Sequence, residues 1–125
     1  KLMPSVKSLL EEVNYEQTAK DLRQIQHFLL RNYDGESIKA SYIETVEHTR
    51  DIIMSLPKII NSPTFNEENQ DILLKNMIIL HQTLLAISDE FEFENDSKDN
   101  KSLSNLLRSF SNFYPLFIIL KAEGE

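Results

Sequence analysis

The feature that most constrains the fold of this sequence is its long stretches without glycine or proline. The chain of 125 residues has only two glycines and four prolines. All-β domains need many tight turns, and such turns draw heavily on these two residue types. Between the few interruptions, apolar residues recur at the i, i+3, i+4, i+7 spacing of one helix face. The sequence therefore predicts an all-α fold.

Apolar stripes place the helices of the first half of the chain. One short stripe covers residues 6–13, and a second covers residues 15–33 in a different phase, so we expect a break near Asn14. A third stripe covers residues 38–56. It ends or kinks at Pro57, because proline lacks the backbone donor that a helix interior uses.

The second half contains two apolar helices and an acidic segment between them. A capping box that begins at Thr64 predicts a helix start. Residues 72–87 are apolar around most of the helix circumference, which is typical of a helix in the middle of a bundle. Residues 89–101 are acidic and lack helical spacing, which predicts a solvated loop. A last helix begins at about Ser102 and is interrupted by Pro115.

The length predicts one domain, residues 1–125, which is enough chain to bury a core without disulfides or metal. We expect a four- to five-helix bundle with mostly antiparallel, up-and-down helices. Zero cysteines exclude disulfides and thiolate sites, and favour an intracellular location, cytoplasmic or nuclear. A formal charge of −7 opposes nucleic-acid binding. We expect no membrane span, because the longest apolar stretch, residues 116–120, is far below the roughly 20 residues required.

No signature of an enzyme, a cofactor or a metal site stands out, so we expect none of the three. Two glycines cannot build a glycine-rich phosphate loop. His27, His48 and His81 lie on three predicted helices, and none has the Glu-x-x-His pattern of di-iron bundles. His48 is the candidate phosphoacceptor of a signalling bundle, with Arg50 and Lys39 to neutralise a phosphoryl group. However, the segment after His48 lacks the small residue and the lysine-glycine pair usual in histidine phosphotransfer modules.

Aromatic side chains towards the carboxyl end are the candidate partner-binding residues. Phe91 and Phe93 alternate with acids in the acidic loop, where exposed rings are costly unless something covers them. Alternatively, these two rings fold back over the end of the bundle. Phe113, Tyr114 and Phe117 belong to a segment that is apolar on all sides. That segment either meets another chain or folds across the base of the bundle.

The sequence therefore favours a protein–protein interaction module, a scaffold or adaptor in a larger intracellular assembly, that binds another protein or a second copy of itself. The acidic loop would steer a basic partner by long-range attraction. Two alternatives stay open. One is a signalling bundle phosphorylated on His48, and the other is a regulatory bundle that holds a small ligand between its helices.

Overall fold

The fold is an all-α helical bundle, as predicted. The computed structural model describes residues 5–124, except for the side chains at positions 117, 120, 121, 123 and 124. These residues form six α-helices and one short 3-10 helix, with no strand among them. The helices are α1 (Val6–Glu12), α2 (Tyr15–Arg31), α3 (Ser37–Ile59), α4 (Glu67–Glu90), α5 (Lys98–Phe110) and α6 (Tyr114–Gly124), with the 3-10 helix (Ser111–Phe113) between α5 and α6.

Four long helices form the body of the bundle. Among α2, α3, α4 and α5, each helix lies beside the next one in sequence, and α5 returns to contact α2. The short helices α1 and α6 and the 3-10 helix pack against α4, which therefore has the most neighbours. However, Ile72, Ile79 and Leu85 of α4 are 52%, 52% and 43% exposed. The prediction of α4 as a helix in the middle of the bundle is therefore only partly correct, because its neighbours leave one side uncovered.

One core joins the helices. On α2 and α5 its buried members alternate with exposed polar residues at helical spacing, which makes these two helices amphipathic. The apolar side chains with no exposed area are Leu10, Leu22, Ile25, Val46, Ile53, Leu56, Met77, Leu80, Leu84, Ile87 and Phe110.

Local capping residues set the helix starts. The predicted break near Asn14 is confirmed: its side-chain oxygen accepts a hydrogen bond of 3.1 Å from the backbone N–H of Gln17. The predicted start of α4 is two residues early, since Asn66, not Thr64, caps the helix by accepting from the backbone N–H of Asn69 at 3.0 Å.

The acidic loop is shorter than predicted, covering residues 91–97 and not 89–101. The α4 helix continues to Glu90, and Ser97 caps α5 by accepting a 3.1 Å hydrogen bond from the backbone N–H of Asn100. The predicted interruption at Pro115 occurs just before it, at the 3-10 helix. Pro115 itself is the second residue of α6, where a missing backbone donor costs nothing. Pro57 lies inside α3, which ends at Ile59.

Candidate functional site

The aromatic residues at the carboxyl end have different surroundings. Phe113 is 1% exposed, and its ring centroid lies 6.1 Å from that of Phe110 in the core. Of the two alternatives for this segment, Phe113 fits the one in which the segment folds across the base of the bundle, because the 3-10 helix turns this ring inward and leaves it almost no area to offer a partner. Tyr114 is partly buried, with its ring 4.6 Å from the ring of His81. The side chain of Phe117 lies outside the described residues.

Phe91 and Phe93 pack on their own chain. Both are partly buried, and both contact Phe28 of α2: the centroid of Phe91 lies 5.3 Å away in an edge-on geometry, and that of Phe93 lies 4.4 Å away in a stacked one. The Lys39 amine lies 5.5 Å from the centroid of Phe91. These contacts explain why two rings can stand in an acidic loop. A role in partner binding stays a prediction for both.

The buried and half-buried acids between α2 and α5 have structural partners. The Asp21 carboxylate accepts hydrogen bonds from the Gln17 amide at 3.0 Å and from the Ser102 hydroxyl at 3.2 Å. Asp99 pairs with Arg31 at 3.0 Å. The Asp21–Ser102 and Asp99–Arg31 contacts both join α2 to α5 and help to fix the position of α5 on α2.

The three histidines do not converge. Among the described residues, no group of three or more His, Cys, Asp or Glu side chains is placed to hold a metal. His27 and His48 are exposed, whereas His81 is 5% exposed. The Nδ1 atom of His81 has no hydrogen-bond partner among the described residues, and burial lowers the pKa of this imidazole below its usual range.

The basic residues expected to assist His48 lie elsewhere. Arg50 lines a cleft of about 370 Å³ between α2 and α3, and Lys39 is held 2.8 Å from Asp34. His48 lines a different groove, on the α4 side of α3, and Glu44 and Asp51 line that groove with it.

The sequence did not predict where between the helices an open groove would lie, and the structure has one between α3 and α4. It encloses about 470 Å³ and continues into a cavity of about 290 Å³ that shares His48 and Asn76 with it. We call the two together the α3–α4 groove. Its apolar lining consists of Ile52, Ile59, Phe65, Ile72, Leu73 and Ile79.

Three isoleucines of the α3–α4 groove are open to solvent. Ile59 is 38% exposed, and Ile72 and Ile79 are each 52% exposed. The last two are seven residues apart on one face of α4, or about 10 Å along its axis. Their signal in the sequence was present but ambiguous: the apolar residues of α4 cover more of the circumference than one core-facing stripe needs.

Acidic residues follow the α3 side of this groove. Glu44 and Asp51 are exposed and line the groove from α3, and Glu47, between them in sequence, is exposed on the outer side of the same helix. None of the ion pairs seen among the described side chains includes these three. On α4, the exposed residues Glu68 and Lys75 flank the isoleucines with opposite charges. The groove is therefore apolar at its centre and negative along one edge.

The α4 helix has the length and hydropathy of a membrane span, with a mean hydropathy of 1.2 over its best window. Core helices of soluble bundles have the same two properties, and eight side chains of α4 are buried in this core. These properties alone are weak grounds for a membrane span. Its absence stays a prediction.

Comparison with known proteins gives no family match for this chain. No protein-family model, no curated protein and no solved structure matches it. Its function is therefore argued from its own geometry and charge.

Proposed function

We propose that this protein is a protein–protein interaction module, a scaffold or adaptor within a larger intracellular assembly, and that it binds its partner in the α3–α4 groove. The observation that carries the proposal is the exposure of Ile59, Ile72 and Ile79 in one open groove. Grouped apolar side chains of this kind are typical of protein-binding surfaces, whereas single exposed ones are ordinary.

The shape of the groove supports a protein partner over a small ligand. A volume of about 470 Å³ is within the range of small-molecule pockets, but those bury most of their ligand. This groove is open and extends along two helices, so a small molecule in it would stay largely in contact with water. A protein segment laid along the groove would cover all of the exposed isoleucines.

The aromatic cluster of Phe91 and Phe93, together with Tyr114, is the second candidate surface. All three side chains are partly buried by their own chain, which leaves less apolar area for a partner than the isoleucines of the groove offer. The experiment that tests the groove therefore also tests one residue of this cluster, as the competing surface.

Site-specific photo-crosslinking tests the proposal. A photoreactive phenylalanine derivative is placed at Ile72, at Phe93 or at Leu30, and each variant is irradiated in a lysate of source cells. Leu30 is the matched control, because it is 52% exposed like Ile72 but lies on α2. We expect a discrete product from position 72 that is absent from position 30 and is lost when Ile79→Ser is added.

Two results would contradict the groove as the docking site. Equal products from positions 72 and 30 would show that capture is unspecific. A product from position 93 alone would move the interface to the aromatic cluster and away from the groove.

A further inference from the structure

We infer that the α3–α4 groove binds an amphipathic helix whose apolar stripe is flanked, on the side that faces α3, by lysine or arginine residues. The inference rests on the proposed function and adds the class of partner to it. Two features of the groove carry it: its length between two helices and the sign of the charge along its α3 edge.

The geometry favours a helix as the occupant. The groove lies between two neighbouring helices, and a third helix laid along such a groove packs its ridges between theirs at the distances usual in bundles. On α4 its lining extends from Asn69 to Ile79, which is about 15 Å or roughly three turns of a partner helix. Apolar residues at i, i+3, i+4 and i+7 of such a helix would cover the exposed isoleucines.

The charges favour a basic flank on that helix. Glu44 and Asp51 line the α3 edge two helical turns apart, and Glu47 adds a third exposed carboxylate on the outer side of this helix, so lysines or arginines two turns apart on a bound helix would meet the two lining carboxylates. On the α4 edge, the opposite charges of Glu68 and Lys75 offset each other, so this edge favours neither a basic nor an acidic flank on the partner. The net charge of −7 adds a general attraction for a cationic partner.

Other occupants fit the same groove less well. The apolar helix α6 of a second copy exposes Ile118 at 65%, but its sequence carries one lysine and one glutamate and so no basic flank. An anionic membrane surface would be repelled by the carboxylates of the α3 edge.

Selection from a peptide library tests the inference. Displayed helices of about 14 residues, long enough to exceed the groove, carry a fixed leucine stripe, and each position beside the stripe is either lysine or glutamate. They are selected against the full chain. We expect lysine to be enriched on one flank, and the selected peptide to bind about tenfold more tightly than its glutamate-flanked counterpart.

A charge-reversal variant supplies the control. In E44K/E47K/D51K the exposed edge becomes basic while the apolar lining stays, and circular dichroism checks that the helices are kept. We expect this variant to prefer the glutamate-flanked peptide. A second variant, Ile72→Ser, should bind neither peptide tightly, because it removes the shared apolar contact.

Three results would overturn the inference. The first is selection of no helical peptide, the second is equal enrichment of lysine and glutamate on both flanks, and the third is an unchanged preference in E44K/E47K/D51K. Sedimentation of the chain alone adds a fourth: a dimer that Ile72→Ser dissociates would make a second copy the occupant. The crosslink from position 72 separates these failures from a failure of the proposed function, since it requires only that some protein contacts the groove.

Discussion

His81 is a buried residue, and one of its two ring nitrogens, Nδ1, has no hydrogen-bond partner among the described residues. It is 5% exposed in α4. The ring of Tyr114, at the start of α6, lies 4.6 Å away. Burial lowers the pKa of His81 below its usual 6.5, so the folded chain holds the neutral ring.

Acid should therefore destabilise the fold through His81. The unfolded chain binds a proton at this residue more readily than the folded chain, so stability is fully present above pH 6.5 and is lost as the pH falls below it. We expect the urea midpoint to drop between about pH 7.5 and about pH 5.5, and His81→Leu to reduce that drop. The exposed His48, replaced by glutamine, is the control and should leave the drop unchanged. An equal drop in His81→Leu would contradict this assignment.

Burial also predicts which apolar residues stabilise the fold. Phe113, 1% exposed, is part of the core, whereas Ile72 is 52% exposed. We expect Phe113→Ala to lower the free energy of unfolding by about 3–5 kcal/mol. Ile72→Ser should lower it by less than about 1 kcal/mol, because little buried area is lost. Urea denaturation of the two variants measures both. Wild-type stability in Phe113→Ala would place that ring back among the surface candidates.

A structural feature of the helices could be predicted when nearby residues cause it, and could not be predicted when distant residues cause it. Asn14 caps α2 with its own side chain, so the break before this helix was predictable from nearby residues. The position of the groove could not be predicted, because exposed Ile72 and its buried neighbour Leu73 are both apolar and both belong to the apolar pattern of α4. Which of them meets solvent depends on where α3 lies, which is a long-range property.

The cap of α2 should contribute measurably to stability. Asn14→Ala removes the oxygen that accepts from the backbone N–H of Gln17 at 3.1 Å, and leaves that donor without its partner. We expect a loss of about 1 kcal/mol in the free energy of unfolding. Asn14→Ser keeps a capping oxygen and should lose little. If both variants were equally stable in urea, the helix break would not depend on this hydrogen bond.

Charge divides the molecule along α3. One side of this helix faces a cleft lined by three basic residues, Lys20, Arg23 and Arg50, and one acidic residue, Glu16. The other side carries Glu44 and Asp51 beside the apolar groove. The net charge of −7 is therefore not spread evenly. A partner that approaches the groove meets a negative edge first and the isoleucines next, so the two features act on different steps of binding.

This separation predicts how salt changes the kinetics of binding. The distance over which exposed charges interact, the Debye length, shortens from roughly 10 Å at 0.1 M salt to roughly 3 Å at 1 M. The association rate of a lysine-flanked helical peptide should fall steeply over that range, since its attraction to the α3 edge is lost. Its dissociation rate should change less, because the buried leucines and isoleucines hold the complex. Stopped-flow fluorescence measures both rates.

The charge-reversal variant E44K/E47K/D51K gives the decisive comparison. With its edge positive, the same peptide should associate slowly at low salt and faster as salt screens the repulsion. Lys58 is exposed on the same face of α3, seven residues after Asp51. Lys58→Ala should leave the sign of the salt dependence of the original chain unchanged, because removing a cation makes the edge more negative. Association that ignores salt in both the original chain and the reversed variant would mean that the apolar groove alone determines binding, and that the partner's charge is not selected.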